Sequence, residues 1–553
     1  MISNRQLRKQ EDVFVLENVE LNKLLEAANI ELGKGNYRKV RKIVNQIKAL
    51  DLPLHIIAYF SSGLLIDVGG ALGDINTIQE GKTLLENNFE RICGVKGLAP
   101  TAHYNLGNAF LEIFSLEYQK NQNDFLFKTA TACQLDQAKF HFRKALEFKI
   151  NNQLAANILV NLGNCYDYLG RVVEALECYD KALNLKPDFG MALGNKGKAL
   201  LYYADLCGEH QGTYILEAYS LLKSAKRGVT PEAAVGFLDC IKLIEQRDQS
   251  LPLNKPPKYP GSSIKGKSKF EQYLIDFCSQ NNLYLNVCNF CKKCNAAIGD
   301  TATIKSMIVP AKDNSYLVLS SYLNEIKQDY VIARLLIVLS RYPEINLDFF
   351  DKYVTIINTL DSSLNNVYVQ LTKTSFKEFY DILDKIAFFI NDYLKLGIRE
   401  NDINFSSMWY QDRTRKEIKQ KVLQTRSASL NALYDIHKDL DYGTWRTKKE
   451  IRNALTHRFV KIKICTEKES DRIMSEETLV KQTLELAKIV RNSIIYLLQF
   501  VHVEEIKKSA KFQGLTLPIL ASPIPYQLKR RRKKSRKRAL HTQKPKTEKK
   551  QAN

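Results

Sequence analysis

Thirty-four positions separate Gly163 from Gly197, and from the residue before that interval Leu162, Gly163, Tyr166, Gly170, Ala175, Tyr179, Ala182 and Pro187 follow one another at the spacing of a two-helix unit. Small residues at 163, 175 and 182 let the two helices touch, the tyrosines fill the gaps beside them, and Pro187 ends the second helix because it has no amide hydrogen to donate. A unit this short cannot bury its own apolar face, so copies must stack into an array. An upstream copy is visible where Asn105–Asn108 (NLGN) recurs as Asn161–Asn164, with Ala138, Phe142 and Ala145 supplying its second helix after an insertion of about 19 residues. Degenerate segments from Glu17 to Leu50 and from Ile56 to Ile92 suit the ends of such an array, which makes residues 1–249 an α-solenoid.

The eight positions around Gly163 resemble a tetratricopeptide repeat. That resemblance implies a protein or peptide partner, and it sets Asn105, Asn161 and Asn195 at one repeat position on the first helices, which line the concave face. Asparagines there either hydrogen-bond the backbone of a bound peptide or only cap contacts within a repeat, and the sequence leaves both open.

A chain of 553 residues is too long for one core. The segment 250–269, with four prolines and no helical period, reads as a linker, and 270–510 returns to dense helical patterning, so the fold class is all-α. Beyond 511 prolines give way to a block of one sign, Lys529, Arg530, Arg531, Arg532, Lys533, Lys534, Arg536, Lys537 and Arg538. This tail, 511–553, is expected to be disordered. The residues from Lys529 onward carry +12 of the chain's +22, and such a tail neutralises nucleic-acid phosphates without reading sequence. No apolar run reaches the roughly 18 residues of a bilayer span and no signal-peptide core follows the N-terminus, so the expectation is a cytoplasmic protein with no membrane contact. Its 11 cysteines then remain thiols, those in helical patterns acting as small apolar fillers.

Four long helical segments close the third region: Ser375–Leu396, Thr425–Leu440, Thr447–Phe459 and Glu476–Val503, a bundle over about 375–505. The third contains IRNALTHRF, in which four residues separate Arg452 from His457. Asn453 shares a face with His457, whereas Arg452 diverges from it by about 140° on an ideal helix, so the arginine must reach around or the helix must bend. A permanent cation beside a proton-exchanging ring supplies what metal-independent RNA cleavage needs: a base for the ribose 2′-OH and a charge to stabilise the phosphorane.

With DKIAFFINDYLKLGI, the SMW of Ser407–Trp409 and ASLNALYDIHKDL, this motif resembles the HEPN superfamily, and within it prokaryotic members fused behind tetratricopeptide repeats. The resemblance implies catalysis by Arg452 and His457 with Asn453 orienting them, an RNA substrate, 2′,3′-cyclic phosphate ends, a homodimer through the bundle, and a role as a toxin or in antiphage defence. Thr456 stands where an acidic residue is usual. Asp384 and Lys385 could support the pair from the first bundle helix, or form an ordinary salt bridge. Cys288, Cys291 and Cys294 form overlapping C-x-x-C pairs but lack a fourth ligand, so no metal and no cofactor is expected. The competing reading is a non-enzymatic scaffold that assembles protein partners on nucleic acid.

Overall fold

The computed structural model describes residues 18–120, 133–207, 210–255, 257, 264–288, 295–308, 315–357, 359–466, 469–511 and 517–518. They are mostly helical, with 19 α-helices among them. The basic tail from Lys529 to Arg538, most of the insertion, and Cys291 and Cys294 lie outside the described residues.

Helix pairs build the first half: α1 (Val19–Gly33) with α2 (Tyr37–Lys48), α3 (Leu54–Leu72) with α4 (Ile75–Asn87), a short α5 (Phe89–Gly94), then α6 (Ala99–Lys120) with α7 (Cys133–Leu146), α8 (Asn152–Tyr168) with α9 (Val172–Leu185), and α10 (Gly190–Cys207) with α11 (Gln211–Ser224), followed by α12 (Pro231–Arg247). The repeat glycine at 163 is required by close approach, since a Cβ there would meet the Tyr179 ring at 2.5 Å. One sequence expectation fails here. The 19-residue α3 is long and apolar enough to cross a bilayer, but more than half of its most apolar window is buried in the array. Its small residues Ser61, Ser62 and Gly69 lie against neighbouring helices, so its apolarity serves helix packing.

The second half holds α13 (Lys269–Gln280), α14 (Ser315–Arg341), α15 (Val367–Leu394), α16 (Gln420–Gln424), α17 (Ala428–Asp441), α18 (Arg446–His457) and α19 (Glu476–Ser509). Side chains of Asn366, Ser427 and Ser475 accept the amide hydrogens that α15, α17 and α19 would otherwise leave unpaired. Two small sheets close the bundle. β1 (Ser306–Met307) pairs antiparallel with β4 (Leu517–Pro518), and β2 (Lys461–Lys463) pairs parallel with β3 (Ile473–Ser475). The core is wider than the expected 375–505, because α14 packs along α15 and buries Tyr330, Ala333, Ile337 and Val338.

The array and the bundle share one apolar core, which runs from α6 to α19. At its centre lies a sealed charge cluster. Lys139 of α7 donates to Asp435 and Asp439 of α17, and Arg171, just before α9, donates to the same two carboxylates at 2.8 and 2.7 Å. Arg143 adds a third cation to Asp439 at 2.9 Å. Burial works against every one of these charges, yet Lys139 and Arg171 hold both carboxyls below their usual range, helped by Lys438 at Asp435 and by Arg143 at Asp439, and the acids in turn keep Lys139 protonated. The guanidinium of Arg171 is stacked between Tyr166 and Trp445, 4.7 Å from each ring centre. Tyr166, a gap-filler in the sequence reading, thus belongs to the docking surface. Gly170 is fixed there too: its φ is +76°, and a Cβ would stand 2.2 Å from the Ala428 carbonyl oxygen.

Candidate active site

The motif helix α18 begins directly after Trp445 and ends at His457, where Arg458 turns extended. Ile451 and Ala454 are buried and fix which face meets the bundle. Lys449 anchors the helix by donating to Asp441 at 2.5 Å, and Asp441 also holds Arg415 and the hydroxyl of Ser406.

Arg452 points toward α15. Its guanidinium lies 3.2 Å from Asp381 and 3.9 Å from Asp384, stands over the Tyr380 ring at 5.4 Å, and donates weakly to Asn453 at 3.4 Å. Its Nε is buried without a hydrogen-bond partner. The Thr456 hydroxyl donates back to the Arg452 carbonyl at 2.9 Å, which is where the residue in place of the usual acid spends its polarity. His457 is exposed, and its ring makes no hydrogen bond or ion pair among the described residues. The structure therefore brings Arg452, Asn453 and Asp384 together but does not join Arg452 to His457 within one chain. The arginine does not reach around to His457, because the α15 acids draw its guanidinium aside.

Asp384 is mostly buried, which pushes its carboxyl up, and it accepts the Phe405 amide at 2.8 Å while facing Arg452. Lys385 is turned away and pairs with Glu325 and Asp329 of α14, both at 2.5 Å, so it does not support the motif. The closer acid, Asp381, was missed, although it precedes Asp384 by three residues and shares its helix face. Also missed was the charge of the motif stretch itself: from Arg446 to Lys463 seven lysines and arginines face a single acid, Glu450.

Beyond α18 the surface is apolar. Phe459 is 96% exposed, and the segment preceding α15 leaves Tyr353, Ile357 and Leu360 more than 85% exposed. Backbone bonds from Leu364 to Ile462 and from Ile464 to Ser362 fasten the end of that segment to β2, next to Phe459. Large apolar side chains this exposed are candidates for an interaction surface.

In the array the three asparagines part ways. Asn161 donates to Asn108 at 2.8 Å and Asn195 to Asn164 at 2.9 Å, each reaching the previous repeat, so both amides tie neighbouring first helices. Asn105 occupies the same place, but its neighbour is Gly63 of α3, which has no side chain to accept from it. Cys288 is buried, and no group of three or more metal-ligating side chains occurs among the described residues.

A helical repeat array docked on a bundle whose penultimate helix carries an arginine–histidine motif defines a two-part helical protein. Residues 311–504 match the LA2681-like HEPN family, and residues 156–189 match the tetratricopeptide repeat. The chain thus carries an LA2681-like HEPN domain preceded by a tetratricopeptide repeat, a domain family typically of ribonucleases behind a protein-binding repeat. No curated protein matches the chain.

Proposed function

We propose that the chain is a metal-independent endoribonuclease of HEPN type, governed by a repeat array that binds a protein or peptide partner. The observation that carries this reading is the exposed, unengaged imidazole of His457 at the end of the motif helix, inside the matched domain. His457 takes the proton of a ribose 2′-OH, the oxygen attacks the adjacent phosphorus, and the bond to the 5′ oxygen breaks, leaving a 2′,3′-cyclic phosphate and a 5′-OH. Arg452, whose guanidinium is about a quarter exposed beside Asp381, stabilises the charge on phosphorus, and Asn453 positions it. The basic stretch from Arg446 to Lys463 and the tail hold the RNA backbone.

A second copy supplies the missing encounter. Arg452 is committed to α15 in its own chain, so the cation that meets His457 comes from a partner packed on the apolar surface around Phe459 and Tyr353. Restraint by the array until its partner binds suits a cytoplasmic toxin or antiphage effector. Purified protein incubated with total RNA in EDTA should give fragments with cyclic phosphate ends, and His457→Ala and Arg452→Ala should each abolish them. Fragments formed equally by both variants would remove the site assignment, and a mobility shift without cleavage would leave an RNA-binding scaffold.

A further inference from the structure

A cavity of about 620 Å³ opens where α8 and α9 of the array face α19 and the turn before α18. That is room for a ligand of nucleotide size. The carboxylates on its wall are all engaged: Glu174 by Arg171, Glu177 by Arg491, Asp180 by Lys196 and Glu485 by Lys448. Arg143 is spent on Asp439.

Two cations remain. Lys181 and Lys488 both line the cavity, and neither has an ion-pair partner among the described residues. Burial lowers the pKa of Lys488, Glu177 opposes that, and Lys181 adds to it, so the two ammonium groups repel one another across the same space. An anion between them would relieve both the repulsion and the lost hydration. Trp445 borders the same cavity; Arg171 and Arg143 stand over its ring at 4.7 and 5.0 Å, and what they leave uncovered is the indole surface that a ligand can meet. Amides of Asn282 and Asn492 stand on the bundle side as polar contacts.

We propose that this cavity binds a small organic anion with a planar ring, its phosphate or carboxylate between Lys181 and Lys488 and its ring against Trp445. Neither Arg452 nor His457 lines the cavity, so the site is independent of RNA cleavage and is measured without it.

The chain has two tryptophans, and Trp409 is fully buried, so a ligand-induced change in tryptophan emission reports Trp445. The full chain is titrated with adenosine monophosphate and, separately, with benzoate; the probe that saturates tells a phosphate-bearing ligand from a carboxylate. The expected result is a saturable change that Trp445→Phe silences and that Lys181→Ala/Lys488→Ala weakens by about tenfold or more. Lys181→Glu, at an exposed position, should weaken it as well with the thermal midpoint kept. No change with either probe, or an affinity that survives both lysine variants, overturns the proposal; the latter would put the anion on the basic tail.

Discussion

The Lys139 ammonium donates to both carboxylate oxygens of Asp435, at 2.7 and 2.8 Å, with both side chains sealed from solvent and 296 residues of chain between them. Removing one partner leaves the other charged and buried. Lys139→Met should therefore destabilise the protein by about 3–5 kcal/mol, and Lys139→Met/Asp435→Leu by less than the sum of its single changes. Urea unfolding of the four proteins in the cycle checks it.

His437 of α17 is buried among Phe405, Trp409, Tyr410 and Tyr434, and burial lowers its pKa to about 3 although Asp441 lies nearby. A histidine depressed in the fold gives stability that is full above its unfolded value near 6.5 and is lost as pH falls toward the folded value. Between pH 7 and pH 5 this one group should cost about 2 kcal/mol. His437→Gln should flatten that part of the stability profile, measured by urea unfolding at both pH values.

Asp381 holds Arg452 from a half-exposed position, so Asp381→Asn should change stability by no more than about 1 kcal/mol. Its effect should fall on cleavage, reduced about tenfold as the guanidinium loses its aim. Comparing RNA cleavage rate with thermal midpoint separates the two. Asp384→Asn, which also weakens the acceptor of the Phe405 amide, should lower both.

If the apolar surface beside α18 joins two copies, Phe459→Asp should shift the sedimentation of the protein toward monomer and lower RNA cleavage with it. At 96% exposure Phe459 contributes little to the fold of one chain, so the thermal midpoint at low concentration should hold. A variant that stays dimeric and active would locate the two-fold contact elsewhere.

The repeat helices and the motif helix were legible because they rest on local periodicity: Gly163 needs to be small against Tyr179, and Ile451 and Ala454 recur on one face. Their mutual arrangement was not, because it rests on pairings across hundreds of residues. Asp435 and Asp439 stand four apart in ASLNALYDIHKDL and share a face, which marks a charged stripe, but nothing nearby in the chain names Lys139 and Arg171 as its partners. For the concave-face asparagines the sequence left ligand binding and structural contacts equally open, and the spacing could not show that Asn161 and Asn195 reach side chains of the preceding repeat. The apolar run Tyr330–Leu339 of α14 is too short for a bilayer, and its Tyr330, Ala333, Ile337 and Val338 are buried in the bundle's own interior.

Arrays of helical hairpins ordinarily gain and lose copies with little penalty, since each copy touches only its neighbours. Here α7 and the turn before α9 are both nailed to a single helix of the other half. Duplication or deletion between those two points would carry one cation out of reach of its acids, a constraint that does not fall on α1 to α5.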